Sequence, residues 1–330
     1  MINVVSFSGG RTSAYMLNVI RRLHPESRFV FMDTGAEHHD TYRFIRDIVD
    51  SWGIDLACLR VMPVMIDGVG SSYETIPYNE CKQDLIPWQR MLQKYGHPYV
   101  GGAFCTDRMK TVPFTKYCND NFGKGNYKTW IGIRQDEPVR LWGDAASYSL
   151  TGIGLDNDGM SSLFVKAIKI ARQMNLEYAS QFIAGEIQKT SSAYDLCCER
   201  IEFIINGNLN FLAEIDGSDK QDIIEWWSQQ SFDLGIPEHK GNCVFCIKKS
   251  LQKVALAAKD EPEMAEVFWN CLVAYDKKED KVMYRNKHTL QEVIALFADD
   301  SRDELASRMH SMRQYDTGSC SESCEAFSRE

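Results

Sequence analysis

No apolar run in this 330-residue chain is long enough to cross a membrane, which argues against a helical span and predicts no membrane partner. Positive charge is also in short supply. Lys and Arg number 37 against 46 Asp and Glu, a net charge of −9, and this excludes a protein that coats nucleic acid through a broad basic surface. A local basic groove survives that exclusion, with Arg108/Lys110 and Lys248/Lys249 as the residues able to build it. The first strand-like run begins at Ile2, so no secretory leader is expected and the expected location is cytoplasmic. The sequence has no internal repeat.

Cysteine is the opposite case, with eleven in the chain. In a reducing compartment these are expected as thiols rather than structural disulfides. Cys58, Cys118 and Cys271 sit in apolar or helical contexts and read as core residues. Overall, 44% hydrophobic and 25% charged residues describe an ordinary globular protein, long enough for one large domain or two.

Apolar patterning sets the fold class. Residues 2–7, 28–32, 55–61 and 128–133 read as strands, and 12–23 and 40–52 as helices between the first three. Strands alternating with helices at this spacing predict an α/β fold with a parallel sheet. Residues 144–156 are rich in Gly, Asp and Ser and read as a loop. Residues 161–206 then read as one long helical stretch, followed by helices at 220–230, 250–259, 261–277 and 289–297 and a polar tail from 312. The domain division this predicts is 1–143 as an α/β nucleotide-binding unit, 144–230 as a helical insertion, 231–311 as a C-x2-C loop with C-terminal helices, and 312–330 as a flexible tail.

The chemistry concentrates where strands end. VSFSGGRTSAYM, residues 4–15, puts Ser6, Ser8, Gly9 and Gly10 between the first strand and the first helix. A glycine pair there can turn several N–H groups one way, and the helix start adds positive potential, making an anion cradle. Arg11, Thr12 and Ser13 add a cation and two hydroxyls. The spacing is not that of a Walker A loop. A plain tight turn is the other reading. Asp33, Thr34 and Gly35 end the second strand on the same rim, where an acid commonly holds a ribose or a metal. The alternative for Asp33 is a helix cap or Asx turn. His38 and His39 can form a metal pair, but with no third ligand nearby they read as an exposed polar pair.

Together these segments resemble a known family. SGGRTS is similar to the PP-loop of N-type ATP pyrophosphatases, and DTG with Thr41-Tyr42 is similar to the phosphoadenosine phosphosulfate (PAPS) reductase branch of that group. CTDRMKTVPF, residues 105–114, resembles that branch's Cys–Arg–Lys–Pro segment, and GIRQDEPVR, residues 132–140, its Gly-x-Arg…Arg segment. The resemblance implies a mainly parallel five-stranded sheet flanked by helices, of the adenine nucleotide alpha hydrolase type. It implies ATP with Mg2+, or a related adenosine nucleotide, at the strand ends. Backbone N–H groups of residues 8–13 would hold the pyrophosphate, with Ser8, Arg11, Lys110 and Arg134 in catalysis. Asp33, Thr34 and Gly35 would lie on the nucleoside side, and Arg108 and Arg140 would neutralise phosphate. Many PP-loops carry Asp where this chain has Thr12, so an acid available for magnesium is missing.

GNCVFCIKKS, residues 241–250, carries Cys243 and Cys246 in C-x2-C spacing before a helix. Two thiolates at that spacing suit zinc, iron–sulfur or redox use. No second C-x2-C or His pair completes a zinc site. By the family pattern, Cys105, Cys243 and Cys246 match three ligands of a four-iron cluster, [4Fe-4S]. The fourth iron is then open, or Cys81, Cys197, Cys198 or the tail fills it. Cys320 and Cys324 stand in the tail without the Glu-Cys-Gly motif of assimilatory reductases.

The function these features predict is an ATP pyrophosphatase that adenylylates an acceptor for sulfur transfer, in the style of nucleic-acid sulfuration and DNA phosphorothioation. A cysteine desulfurase or other sulfur donor is the expected partner, with nucleic acid delivered through partner proteins. A PAPS or adenylyl-sulfate reductase making sulfite, and a non-catalytic nucleotide sensor, are the alternatives.

Overall fold

β1 (Ile2–Phe7) carries the β-branched, buried residues of an interior strand, and the chain alternates from it as the pattern predicts. α1 (Arg11–Leu23), β2 (Arg28–Met32), α2 (His39–Trp52) and β3 (Leu56–Pro63) follow in order. The computed structural model describes residues 1–312 apart from 67, 69, 189 and 190, so the tail with Cys320 and Cys324 lies outside the described residues.

The sheet has six strands, not five. β4 (Ser71–Ile76) pairs antiparallel with β3, while β5 (Tyr127–Ile131) lies parallel to β1 on its other side. β6 (Leu209–Phe211) pairs parallel with β5, giving the order β4-β3-β2-β1-β5-β6. The two additions are the strands the pattern could not show. β4 is a half-polar edge, SSYETI, and β6 is three residues long, too short for any period to register.

Alternation along β1 divides the core. Val4 faces one side with Val30 and Leu59, packed under Phe114 and Cys118 of α4 (Val112–Phe122). Val5 and Phe7 face the other with Leu17 of α1 and Phe44 and Ile45 of α2. Cys58 and Cys118 are buried in these cores as expected, and Cys271 is buried among the C-terminal helices. α3 (Ile86–Tyr95) precedes α4 and packs toward the C-terminal helices.

Residues 144–156 are not a loop. After α5 (Pro138–Trp142), α6 (Asp144–Gly152) runs directly on from Gly143, its Ala146 and Leu150 buried. The long helical stretch is three helices, α7 (Asn157–Gln173), α8 (Leu176–Ile187) and α9 (Ser192–Asn206). The Asn175 side chain accepts the Tyr178 N–H and restarts the chain as α8. These helices enclose Trp142, Phe164, Ile183 and Ile204, then deliver β6 to the central sheet. α10 (Lys220–Ser228) returns to cover α1 through Trp227, whose indole N–H donates to the Arg11 carbonyl at 3.0 Å. α11 (Leu251–Asp260), α12 (Pro262–Tyr275), α13 (Leu290–Leu296) and α14 (Arg302–Met312) close the described chain around Trp88, Leu92, Val254 and Phe268.

Candidate functional site

The strand order reverses between β1 and β5. From β1 the chain steps outward to β2, β3 and β4, then returns to add β5 and β6 on the opposite side. A crevice opens at that point, outside the carboxyl ends of the strands. It holds a cleft of about 240 Å³ lined by the Ser6–Ser13 segment, by Ile131, Gly132 and Arg134 after β5, and by Lys110 and Arg140. α10 and the segment after it supply an apolar wall of Ile223, Ile224, Leu234 and Ile236. The lining therefore combines polar backbone and cations with an aliphatic wall.

Two glycines make the polar part possible. Gly9 has φ +79°, and a Cβ there would stand 2.8 Å from Thr41 Cγ2. Gly132 lets β5 pass the start of α1, where a Cβ would stand 3.0 Å from Ser13 Cα. Ser8 closes the turn. Its N–H donates to Ser13 Oγ at 3.2 Å, and Ser13 Oγ donates to the Gly10 carbonyl at 3.0 Å. Gly10 precedes α1 and offers no side-chain cap, and no acid occupies the first turn. The positive end of α1 thus opens on the cleft without a carboxylate of its own.

Charge in the lining is strongly one-sided. Six of its residues are basic (Arg11, Lys110, Arg134, Arg140, Lys220 and Lys249), and one, Glu238, is acidic. Lys249 turns its ammonium into the C-x2-C loop, which leaves five lining cations against one acid, a balance that suits an anion on a chain of net charge −9. Arg134 is buried, and its guanidinium donates to Thr12 Oγ1 at 3.0 Å and to Asp136 Oδ1 at 2.7 Å. Buried Glu137 accepts the Arg134 N–H at 3.0 Å and also pairs with Arg140, so one carboxylate orients both arginines. Glu238 is held by Lys220 at 3.1 Å and Lys253 at 3.3 Å. The lining therefore offers no carboxylate placed to hold Mg2+, and a magnesium ion would have to arrive on the phosphates.

Residues 2–141 match the phosphoadenosine phosphosulfate reductase domain. The "Uncharacterized nin region protein ORF290" of Escherichia phage lambda is 40% identical over 339 aligned positions, covering 99% of this chain and 96% of that protein. This chain belongs to one family with the phage lambda protein and carries a PAPS reductase domain. The "Uncharacterized protein MJ0066" of Methanocaldococcus jannaschii is 25% identical over 135 residues, 41% of this chain and 23% of that protein. The family match ends at residue 141, so it includes the glycine turn, Lys110, Arg134 and Arg140 but not the apolar wall of the cleft.

Within the PAPS reductase domain, the second-strand segment turns away from the cleft. Asp33 is fully buried. Its Oδ1 accepts the Gly35 N–H at 2.9 Å and the Tyr42 hydroxyl at 2.8 Å, and its Oδ2 accepts Arg60 Nε at 2.7 Å. Burial first, then the Glu37 carboxylate, push its pKa up to about 6 against the pull of Arg60. Gly35 packs on the start of α3, its carbonyl accepting the Leu85 N–H. Thr34 points to a second cavity, donating to Glu37 at 2.7 Å and lying 3.2 Å from Cys243 Sγ. Of the DTG region, it is the neighbours Met32 and Thr41 that line the cleft.

That second cavity is where the cysteines meet. Cys105, Cys243 and Cys246 line it with Thr34, Trp88, Met109, Lys110 and Ile247. Three soft donors from two distant segments fit thiolate ligation of an iron–sulfur centre. The space between them is small, about 10 Å³. The lining Trp88 has an indole N–H with no partner among the described residues. None of Cys81, Cys197 or Cys198 belongs to this lining; Cys81 is buried beside Cys58, and Cys197 lies in the core of α7 to α9. Cys105 lies just before a π-helical turn, Asp107–Thr111, and Lys110 lies within it, a feature frequent at functional sites. Lys110 lines both cavities.

Several placements differ from the sequence reading. Arg108 lies outside both linings, its guanidinium over the Tyr95 ring and paired with Asp107. Arg11 lines the cleft but grips Asp233 through both ends of its guanidinium. Lys249 is not a groove cation of the Lys248/Lys249 kind. It is 1% exposed, and its ammonium donates to the carbonyls of His239, Gly241, Cys243 and Val244 at 2.7 to 3.2 Å, fixing the C-x2-C loop from within. His38 is buried rather than exposed. Missed from sequence were Asp233 and the aliphatic wall, which no local motif marks; Glu137 stands within the GIRQDEPVR segment, but its part in holding Arg134 and Arg140 was not read.

Proposed function

We propose that this chain is a PP-loop ATP pyrophosphatase that adenylylates an acceptor so that sulfur can replace its oxygen, with nucleic-acid sulfuration such as DNA phosphorothioation as the reaction class. The observation that carries the reading is the uncapped, acid-free start of α1 opening on a lining that also holds Arg11, Lys110, Arg134 and Arg140. A polyphosphate fits there, and the aliphatic wall suits a purine. An acceptor oxygen attacks the α-phosphate of ATP and pyrophosphate departs. Arg134, held by Thr12 and Asp136, and the first turn of α1 stabilise charge that grows on the leaving group. Lys110 lines both the cleft and the thiol cavity and would neutralise the α-phosphate side of a bound nucleotide.

The thiol cavity supports the sulfur half of the reading. Cys105, Cys243 and Cys246 would hold an iron–sulfur cluster, which supplies a site for sulfide when bound. A protein persulfide, such as that of a cysteine desulfurase, is the proposed sulfur source, and nucleic acid would come with a partner that compensates the acidic surface.

Pyrophosphate release from ATP with Mg2+ tests the proposal, with Arg134→Met expected to lower the rate by roughly a hundredfold. Binding of ATP without turnover would favour a sensor, and sulfite from PAPS would favour a reductase. A protein that binds none of ATP, pyrophosphate and PAPS at millimolar concentration would sink all three.

A further inference from the structure

His38 and His39 look unhelpful in sequence because no third ligand lies nearby. The fold supplies it from the next residue. His38 Nδ1 lies 3.6 Å from Asp40 Oδ2, and His39 Nε2 lies 3.7 Å from the same oxygen. One ligand atom from each residue falls within 4.8 Å of the others. Two ligands bound 2.0–2.2 Å from one ion at the tetrahedral angle stand about 3.4 Å apart, so little movement is needed. The two ring centroids lie 4.0 Å apart, with the planes tilted by 33°.

Each ligand except His39 is also held from behind. The buried His38 ring contacts Glu261 Oε1 through Nε2 at 3.0 Å, the carboxylate–histidine arrangement that leaves Nδ1 as the acceptor nitrogen. Lys240 fixes the same Glu261 oxygen at 2.7 Å. Arg43 takes Asp40 Oδ1 at 2.8 Å and leaves Oδ2 for another partner. His39, the exposed member, lines an open groove of about 390 Å³ beside Glu261 and Glu263, which gives an ion its path in. Two features oppose binding. The Asp40 N–H now donates to His38 Nδ1 at 3.2 Å, and Arg43 and Lys240 add positive charge nearby. Asp40 and Glu261 offset that charge.

We propose that His38, His39 and Asp40 form a binding site for a divalent transition-metal ion of the zinc class, separate from the thiol cavity. The bound ion pins the start of α2 to α12 through His38 and Glu261. Because α2 follows the loop that docks on Cys243 through the Glu37–Cys243 bridge, the ion stiffens the frame of the thiol cavity.

Zn2+ is titrated into the chelator-treated full chain, and Co2+ is used as a spectroscopic probe. The wild type is expected to take up one more Zn2+ than His39→Ala, or to bind that ion at least tenfold more tightly, with Asp40→Asn behaving alike. Cys243→Ser is expected to retain this ion, and its Co2+ bands are expected without the intense near-ultraviolet sulfur charge transfer. His39→Ala changes an exposed ring, and an unaltered metal-free melting temperature will show that it folds. Equal stoichiometry and affinity in wild type and His39→Ala overturn the proposal, as does loss of the same ion in Cys243→Ser.

Discussion

Arg11 and Asp233 lie 222 residues apart in the chain, and the Arg11 guanidinium meets the Asp233 carboxylate at 2.6 and 2.7 Å. One belongs to the glycine turn and the other to the segment that carries the aliphatic wall through Leu234 and Ile236. The cation best placed at the mouth of the cradle is thus already neutralised. An incoming phosphate competes with Asp233 for it. Both side chains are about a third exposed, so the pair contributes only about 0–1 kcal/mol to stability. Asp233→Asn should therefore leave the melting temperature nearly unchanged while tightening pyrophosphate binding by about fivefold. Calorimetric titration with pyrophosphate at low and moderate salt checks this; weaker binding in the variant would mean that Asp233 positions Arg11 rather than masking it.

Gly132 sets how closely β5 approaches α1. A methyl group there meets Ser13 Cα at 3.0 Å, and neither backbone has room to move without shifting the turn. Gly132→Ala should cost about 1–3 kcal/mol of stability. It should also displace the first turn of α1 and weaken pyrophosphate binding. Urea unfolding and the same titration report the two effects separately. A variant of native stability and affinity would show that the contact relaxes.

The parts of this molecule legible in sequence are those with a local signature. The strand–turn–helix at residues 2–23 follows from one apolar run, a glycine pair and a helical period. The PAPS reductase resemblance rests on the same local segments, and the family match covers them. What escaped was everything decided by long-range packing. Asp33 stands at a strand end, but Arg60, 27 residues away, draws it inward and off the cleft. Lys249 reads as half of a basic pair, yet four carbonyls of the preceding loop enclose it. β6 has no period to read and is a strand only because β5 offers it an edge.

Lys249 is the internal support of the thiol loop. Its ammonium satisfies four carbonyls that water does not reach in this buried setting. Lys249→Met fills similar volume with no donor, so those oxygens lose their partner together. Hydrogen bonds to a charged group contribute about 1.5–3 kcal/mol each at most and are not additive, so a loss of about 3–5 kcal/mol is expected. The C-x2-C turn should loosen before the sheet does. Faster modification of Cys243 and Cys246 by a thiol reagent, mapped by mass spectrometry under native conditions, checks this. Unchanged reactivity alongside reduced stability would place the effect elsewhere.

Asp33 gives the fold a particular pH response. Its carboxyl is raised to about 6 by burial and Glu37, above the ordinary 3.8. The folded chain therefore holds this proton more tightly than the unfolded chain. Between about pH 4 and 6 the folded state carries the extra proton, so this group's contribution to stability is full below that window and falls as pH rises through it. The loss is at most about 3 kcal/mol. Arg60, Tyr42 and the Gly35 N–H retain favourable contacts with the ionised carboxylate above the window. Asp33→Asn removes the titration and sets an amide against Arg60. The variant should be less stable than wild type throughout, and the gap should be widest near pH 4 and narrow toward pH 6.5. Urea unfolding of both proteins across that range measures the gap. A gap that widens with rising pH would mean that Arg60 dominates and that Asp33 is ionised well below its ordinary range.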